Sequence, residues 1–474
     1  MAETLTPDIC VIGAGSGGLS VAAAAAAFGV PVVLIEKGKM GGDCLNFGCV
    51  PSKALLAAAR RAQAMRAGAP FGVASQRPGI DFAKVHAHVH GVIAAIAPND
   101  SKERFTGLGV RVIEGAARFK DKQTVVVGDG IVVKARRFVI ATGSTPAAPP
   151  IPGLDQISYF TNETIFDLTQ CPEHLVIIGA GPVGLEMAQA FRRLGAAVTV
   201  LEAAVPLAKD DAECAAIVLD QLAREGIAIR AGAEVVRVEP GAKPRVVVAT
   251  ADGEQTIEAS HLLVATGRRP NVDDLDLAAG RIKAGPRGIV VNKRLRTSNK
   301  RVYAVGDVAG GPQFTHAANY HAGLVIRNVL FRLRARVDDN VIPWVTFTEP
   351  ELAHVGTTEA RASARRMSIR VLRWPYHEND RAQAERETRG HIKVITTKRG
   401  RILGATIVGA HAGELIAAWT LAISQGLNIR AFAGMVVPYP TFAEIGKRAA
   451  LSYFAGSLTS PFVRRIITWL RRFG

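Results

Sequence analysis

Residues 8–36, DICVIGAGSGGLSVAAAAAAFGVPVVLIE, align without a gap on residues 174–202, HLVIIGAGPVGLEMAQAFRRLGAAVTVLE. A repeat of this length constrains the fold more than any single residue does. Each copy reads as a short apolar strand, a glycine turn, a helix and a second strand. The turns carry G-x-G-x-x-G, with Gly13, Gly15 and Gly18 in the first and Gly179, Gly181 and Gly184 in the second. In such a turn the first glycine permits the tight bend, the second lets a pyrophosphate approach the backbone, and the third lets helix and strand pack closely. The helix N-terminus then offers free N–H groups to the phosphates. An acid ends each unit, Glu36 and Glu202, in place to bind ribose hydroxyls.

Two dinucleotide sites in one chain imply an electron relay, one site for a tightly held flavin and one for a nicotinamide. Glu202 favours the free 2′-hydroxyl of NADH over the 2′-phosphate of NADPH, and the following AAVPLAK offers only Lys209 as a cation. The 474 residues suffice for roughly three domains. The formal charge of +17 raises the prospect of an anionic partner, but no zinc-finger or RNA-recognition signature accompanies it. A basic surface suited to phosphate-bearing cofactors is expected, with no nucleic acid partner. The apolar run LSVAAAAAAFGVPVVLI is broken by Gly29 and Pro31 and reads as helix, turn and strand rather than a membrane span. No positive residue precedes Lys37 to supply a secretory leader, so a reducing cytoplasm is expected.

GGDCLNFGCVPSK, residues 41–53, holds two of the five cysteines. A zinc site would need about four ligands, and no second cysteine pair or spaced histidine pair supplies them. A structural disulfide does not suit a reducing compartment. A reversible dithiol remains, starting eight residues after Glu36 and so expected near the ring of the first dinucleotide. If the chain after Cys44 is helical, its N-terminus would favour a thiolate.

That segment resembles the active-site stretch of the pyridine nucleotide-disulfide oxidoreductases that hold FAD, among them dihydrolipoamide dehydrogenase, glutathione reductase and mercuric reductase. Asp43 stands where threonine is common. FVIATGSTPAAPPIPG (138–153), LLVATGRRPN (262–271) and VYAVGDV (302–308) follow in family order. The resemblance implies that Thr142, Gly143, Gly267 and Gly306 help hold the cofactors. It also implies that Asp307 binds the FAD ribityl chain, while FTHAANYHAG opens a helix aimed at the flavin. It assigns Cys49 as the thiol nearest the flavin, Cys44 as the exchange thiol, and Lys53 with Glu186 as an ion pair. Glu186 replaces the Ser20 of the first repeat.

The far end departs from the dithiol enzymes of the family. Where their partner subunit supplies His-Pro-Thr-x-x-Glu, this chain reads VPYPTFAEIG, keeping Glu444 but placing Tyr439 at the histidine position. A phenol with a pKa of about 10 exchanges protons poorly at neutral pH. Mercuric reductases also have tyrosine there, and EMAQAF and HENDRAQAE (377–385) resemble them too. Their terminal vicinal cysteine pair is not found among these residues, and no N-terminal metal-binding domain is expected. Cys10, Cys171 and Cys214 are isolated and read as buried packing.

The last residues, SPFVRRIITWLRRFG, alternate apolar and arginine positions at helical spacing, which fits an interfacial helix at an anionic membrane or a helix packed on the dimer. In HAHVH (86–90) only His86 and His90 share a helix face and no acid or cysteine joins them, so no metal site is expected. His411 and Glu414 suit capping or packing better than a replacement base.

The expected architecture is α/β, with two Rossmann-like dinucleotide-binding domains, for FAD and NAD(P), and a C-terminal α+β dimerisation domain. Its divisions are FAD-binding 1–153 and 270–340, NAD(P)-binding 154–269, and interface 341–474 with a basic tail at 460–474. The expected function is NAD(P)H-dependent reduction of a thiol-reactive or metal-containing acceptor, most similar to mercuric reductase. Dihydrolipoamide dehydrogenase is the alternative, and a membrane-surface NADH:quinone oxidoreductase, peripheral at the inner face, is the alternative of another class. A homodimer is implied, with Tyr439 and Glu444 reaching the partner's Cys44, and the acceptor is a small molecule, metal ion or disulfide.

Overall fold

The computed structural model describes residues 3–250, 253–458 and 460–473, which fall into two compact units. The first comprises 1–180, 187–203 and 230–338. Its centre is a five-stranded parallel sheet in the order Val302–Ala304, Arg137–Ile140, Ile9–Ile12, Val32–Glu36, Arg111–Glu114. Strands buried on both faces read as unbroken apolar runs, which is why ICVI and VVLI lack alternation. One face is covered by the helices Ser16–Ala27 and Thr315–Val329, where a Cβ on Gly17 would lie 3.3 Å from the Ala318 Cβ. The apolar run of residues 19–35 resolves as expected into that helix, a turn at Gly29 and the strand Val32–Glu36.

The second copy of the repeat builds the same unit. His174–Ile178, Ala197–Glu202 and His261–Val264 pair in parallel, and the helix Pro182–Leu194 links the first two. The first sheet takes its strands from 9–140 and 302–304, so the chain leaves it, forms the second sheet and returns.

The second unit comprises 181–186, 204–229 and 339–474. Its five-stranded sheet runs Trp344–Thr346, Glu351–Gly356, Ile402–Gly409, His391–Thr397, Ile369–Pro375, all antiparallel. Helices Ala412–Ser424 and Glu444–Ser452 contribute Trp419, Ile445 and Ala449 to its core. The helix Ala212–Arg224, expected with the NAD(P)-binding segment, belongs to this unit because an ionic cluster fastens it there. The Lys393 Nζ, only 4% exposed, lies 2.8 Å from Asp211, 2.7 Å from Glu213 and 3.0 Å from Glu359. The Trp344 indole N–H donates to Asp210 at 2.7 Å. The tail forms the helix Pro461–Leu470, capped by Ser460 and burying no residue. Among the described residues, no helix is long and apolar enough to cross a membrane.

Candidate active site

The two glycine turns have the same hydrogen bonding. Gly13 N–H donates to the Ile35 carbonyl and Gly179 N–H to the Leu201 carbonyl, both at 2.8 Å. The Glu36 carboxylate accepts from the N–H of Ala14, and that of Glu202 accepts from Ala180 at 2.9 Å. Glu36 accepts in addition from Gly38 at 2.7 Å, so each acid is held at the mouth of its turn.

The turns fit a bound dinucleotide. A Cβ on Gly18 would fall 1.8 Å from the Gly13 carbonyl oxygen, so the protein itself requires glycine there, and Gly184 is buried in the matching helix position. A Cβ on Gly181 would meet nothing within 4 Å. Bare backbone facing open space at that point suits the approach of a pyrophosphate.

The redox segment lies against the first turn. Gly41 N–H donates to the Ala14 carbonyl at 3.0 Å, and a Cβ on Gly42 would lie 2.7 Å from the Gly15 Cα. A short helix, Gly42–Asn46, carries Cys44, and a long one, Cys49–Arg66, begins on Cys49 itself. The helix expected after Cys44 is thus interrupted, and the thiol at a helix N-terminus is Cys49.

Across from it begins the helix Thr315–Val329, as expected of FTHAANYHAG, and the Thr315 hydroxyl is 3.4 Å from the Cys49 Sγ. Hydrogen bonding from Cys44, then from Thr315, with the charge of Lys53 one turn along the helix, lowers the Cys49 pKa to about 6. Cys44 is pushed well above the ordinary thiol value, first by that hydrogen bond to Cys49 and then by burial. The pair thus concentrates thiolate character on Cys49 and keeps the proton on Cys44.

Three residues that the sequence alone did not single out join the site. Arg268 Nη2 lies 3.0 Å from the Asp43 carboxylate, and its Nε donates to the Ser144 hydroxyl at 2.7 Å. Ser144 in turn donates to Asp307 at 2.6 Å, and burial raises the pKa of that aspartate. Asn162 donates to Asp43 and to the Phe47 carbonyl, both at 3.1 Å. The available signal was Asp43 itself: an acid beside a cysteine in place of a neutral threonine calls for a cation, and Arg268 lies in TGRRPN.

The remaining predicted cofactor residues follow strand ends, Gly267 in the second parallel sheet and the others in the first. Thr142 donates to the Asn271 carbonyl at 2.7 Å, the Gly143 carbonyl accepts from Asn271 at 3.0 Å, and that of Gly267 accepts from Ala147 at 3.0 Å. Gly306 N–H donates to His321 Nδ1 at 3.2 Å, fixing the turn that carries Asp307.

Glu186 is buried and accepts from the Phe347 N–H at 2.9 Å, in the second unit, while Lys53 stands in the first, 3.4 Å from the Ser52 hydroxyl. Tyr439 and Glu444 also belong to the second unit, with Glu444 opening the helix Glu444–Ser452. Tyr439 is 70% exposed and donates its hydroxyl to Asp380 at 2.8 Å, which raises the phenol pKa further.

Cys10 and Cys214 are fully buried, as expected, with thiol pKa values raised by burial, and Cys171 is half-buried. His411 precedes the helix Ala412–Ser424 and packs on Phe442 at 5.1 Å, a packing role. One expectation needs correction. His86 and His90 do have an acid beside them, Asp167, brought from a distant turn by the fold.

Residues 7–322 match the family model described as pyridine nucleotide-disulphide oxidoreductase, and residues 342–450 match the dimerisation domain of that family. The chain is 37% identical to a mercuric reductase of Streptomyces lividans over 94% of its length and 96% of the relative's. It is 35% identical to a dihydrolipoyl dehydrogenase of Geobacillus stearothermophilus, covering 94% and 95%. Among solved structures, the HOCl-induced flavoprotein disulfide reductase RclA of Escherichia coli, as its Cu(II) complex, superposes with a TM-score of 0.83 at 28% identity, covering 93% of this chain and 98% of that one. LpdA of Mycobacterium tuberculosis superposes with a TM-score of 0.86 at 26% identity, covering 94% and 99%. By its glycine repeats, its cysteine segment and its dimerisation domain, this chain belongs to the pyridine nucleotide-disulphide oxidoreductases, FAD-dependent homodimeric enzymes that use a pyridine nucleotide.

Proposed function

We propose that this enzyme reduces a thiol-reactive acceptor, foremost a soft metal ion, with NADH, through FAD and the Cys44–Cys49 pair, as mercuric reductase does. The observation that carries this is Tyr439, a phenol committed to Asp380 at the position expected to hold a histidine base. In the redox segment, the Cys49 pKa is lowered at a helix N-terminus and that of Cys44 is raised. A disulfide acceptor needs Cys44 to surrender its proton to a base before attack. A soft cation needs none, because binding to sulfur displaces the proton directly.

When bound, FAD relays two electrons from the nicotinamide to the cysteine pair. The protein's part is to hold Cys49 between two helix N-termini, where negative charge on sulfur is stabilised. Arg268 fixes the redox segment through Asp43, and Tyr439 with Glu444 is expected to reach Cys44 of the partner subunit. The sheet containing Ile9–Ile12 serves FAD, and the one containing His174–Ile178 serves the nicotinamide, with residues 341–474 forming the interface. Glu202, held at the mouth of its turn, supports NADH over NADPH.

A peripheral membrane contact is favoured by the tail. In the helix Pro461–Leu470 and just beyond it, Phe462, Ile467, Trp469 and Phe473 are exposed among Arg465, Arg471 and Arg472. Deleting residues 460–474 should abolish co-sedimentation with anionic vesicles, and unchanged sedimentation would leave the tail a packing role.

Anaerobic reduction by NADH, followed by mixing with mercuric ion, lipoamide, glutathione disulfide or a quinone, tests the main reading. Mercuric ion should reoxidise the enzyme fastest, and Cys44→Ser should abolish that turnover. Full activity of Cys44→Ser towards the best acceptor would replace the dithiol relay with direct flavin-to-quinone transfer.

A further inference from the structure

We infer that His86, His90 and Asp167 form a binding site for a divalent late first-row transition-metal ion, Zn²⁺ being the reference case, apart from the redox pair. The two histidines lie four residues apart on the helix Phe82–Ile96, which brings their rings to the same face with centroids 4.2 Å apart. Asp167 ends the single turn Ile165–Asp167, reached 77 residues after His90 along the chain. One ligand atom from each of the three lies within 4.8 Å of the others, and His90 Nε2 is 3.5 Å from Asp167 Oδ1. A tetrahedral ion with bonds of about 2.1 Å separates its ligands by about 3.4 Å, so this edge already has the required length.

Both sides of the site are held in place before any ion arrives. The Asp81 carboxylate caps the histidine helix by accepting from Lys84 N–H at 3.1 Å, and Phe82 stacks on Phe191 at 5.9 Å. Ile165 and Phe166 are buried, which pins the turn immediately before Asp167. The histidines are half-buried while Asp167 is exposed, so an ion has an approach from solvent and room for water in its remaining positions.

The ligand set selects the ion. Two imidazoles and a carboxylate suit Zn²⁺ and its neighbours in the first row, whereas Mg²⁺ and Ca²⁺ take oxygen ligands and the softest ions prefer thiolate. His90 Nε2 also lies 3.3 Å from the Phe166 carbonyl oxygen. Ligation through this nitrogen therefore exchanges that hydrogen bond for the metal and takes the tautomer with its proton on Nδ1.

The test uses the full-length FAD-loaded protein, free of any affinity tag, with Cys44 and Cys49 kept as the disulfide so that the thiols do not compete. Equilibrium dialysis against Zn²⁺ with metal analysis should give one ion per chain. His86→Ala and His90→Ala should each weaken binding at least tenfold, and Asp167→Asn by a smaller factor. His88→Ala, roughly 200° around the helix from His86, should leave binding unchanged. Zn²⁺ should also raise the melting temperature of the wild-type protein, and by less that of Asp167→Asn, the variant least disturbing to the fold. The proposal is overturned by an absence of stoichiometric Zn²⁺ binding to the wild-type protein, or by binding that His86→Ala and Asp167→Asn both leave intact.

Discussion

Asp43, the residue before Cys44, is paired with Arg268 at 3.0 Å, and through Ser144 the same arginine is tied to Asp307. The negative charge of Asp43 raises the pKa of both redox thiols. In Asp43→Asn that opposition disappears, so the Cys49 thiolate should persist to lower pH than in the wild-type enzyme. Thiolate absorbance followed against pH on the reduced enzyme reads the midpoint directly. A midpoint moved upward would show that Asp43 acts mainly by orienting Arg268.

Thr315 works in the opposite direction. Its hydroxyl lowers the Cys49 pKa, so Thr315→Val should raise it. With a pKa near 6 the wild-type thiol is about nine-tenths ionised at pH 7, and a rise of about one unit would leave roughly half. The rate of alkylation by iodoacetamide at pH 7 should fall by about twofold and recover by pH 9.

The two glycine substitutions should fail in different ways. Gly18→Ala places a methyl group 1.8 Å from a backbone oxygen, so the protein should be made without FAD or not fold. Gly181→Ala meets no protein atom within 4 Å, so its melting temperature should stay within about 2 °C of wild type. Its KM for NADH should rise at least tenfold, because the methyl occupies the space expected for the pyrophosphate.

Lys393 balances three carboxylates in the second unit. Lys393→Met leaves Asp211, Glu213 and Glu359 facing one another and should cost about 3–5 kcal/mol of stability, measured by denaturant unfolding. Burial alone would raise the Glu213 pKa, but hydrogen bonds from Arg373 and Lys393 hold it at about 2. Its contribution is therefore full above the ordinary glutamate value and lost as the pH falls from about 4.5 towards 2. The raised Lys393 pKa contributes below the ordinary lysine value and is lost as the solution becomes more alkaline. The melting temperature should be flat between about pH 5 and 10 where this cluster dominates, and Lys393→Met should shrink the acid limb to the part that Arg373 supplies.

Tyr439→His restores a group that exchanges protons at neutral pH, and it should raise dihydrolipoamide turnover by about 10²-fold or more. No gain in steady-state assays would show that another departure limits dithiol chemistry in this enzyme.

The two nucleotide-binding units, the cysteine pair and the tyrosine at the far end were legible along the chain alone. Each rests on local chemistry: a glycine turn between buried strands, two thiols in one short segment, one residue type in a recognisable stretch. The tertiary structure decided what depends on distance. The folded chain brings Arg268 to Asp43 and Thr315 to Cys49, across 225 and 266 positions, and the Thr315 hydroxyl adds to the lowering of the Cys49 pKa that begins with the neighbouring Cys44. It likewise carried Asp167 to His86 and His90, setting an acid beside a pair that the sequence showed without one. The helix Ala212–Arg224 joined the C-terminal sheet for the same reason, since its partners, Lys393 and Trp344, lie more than a hundred residues away. Hydrogen bonds and ion pairs act over a few ångströms, and periodicity along a chain carries no information about which distant residues will come that close.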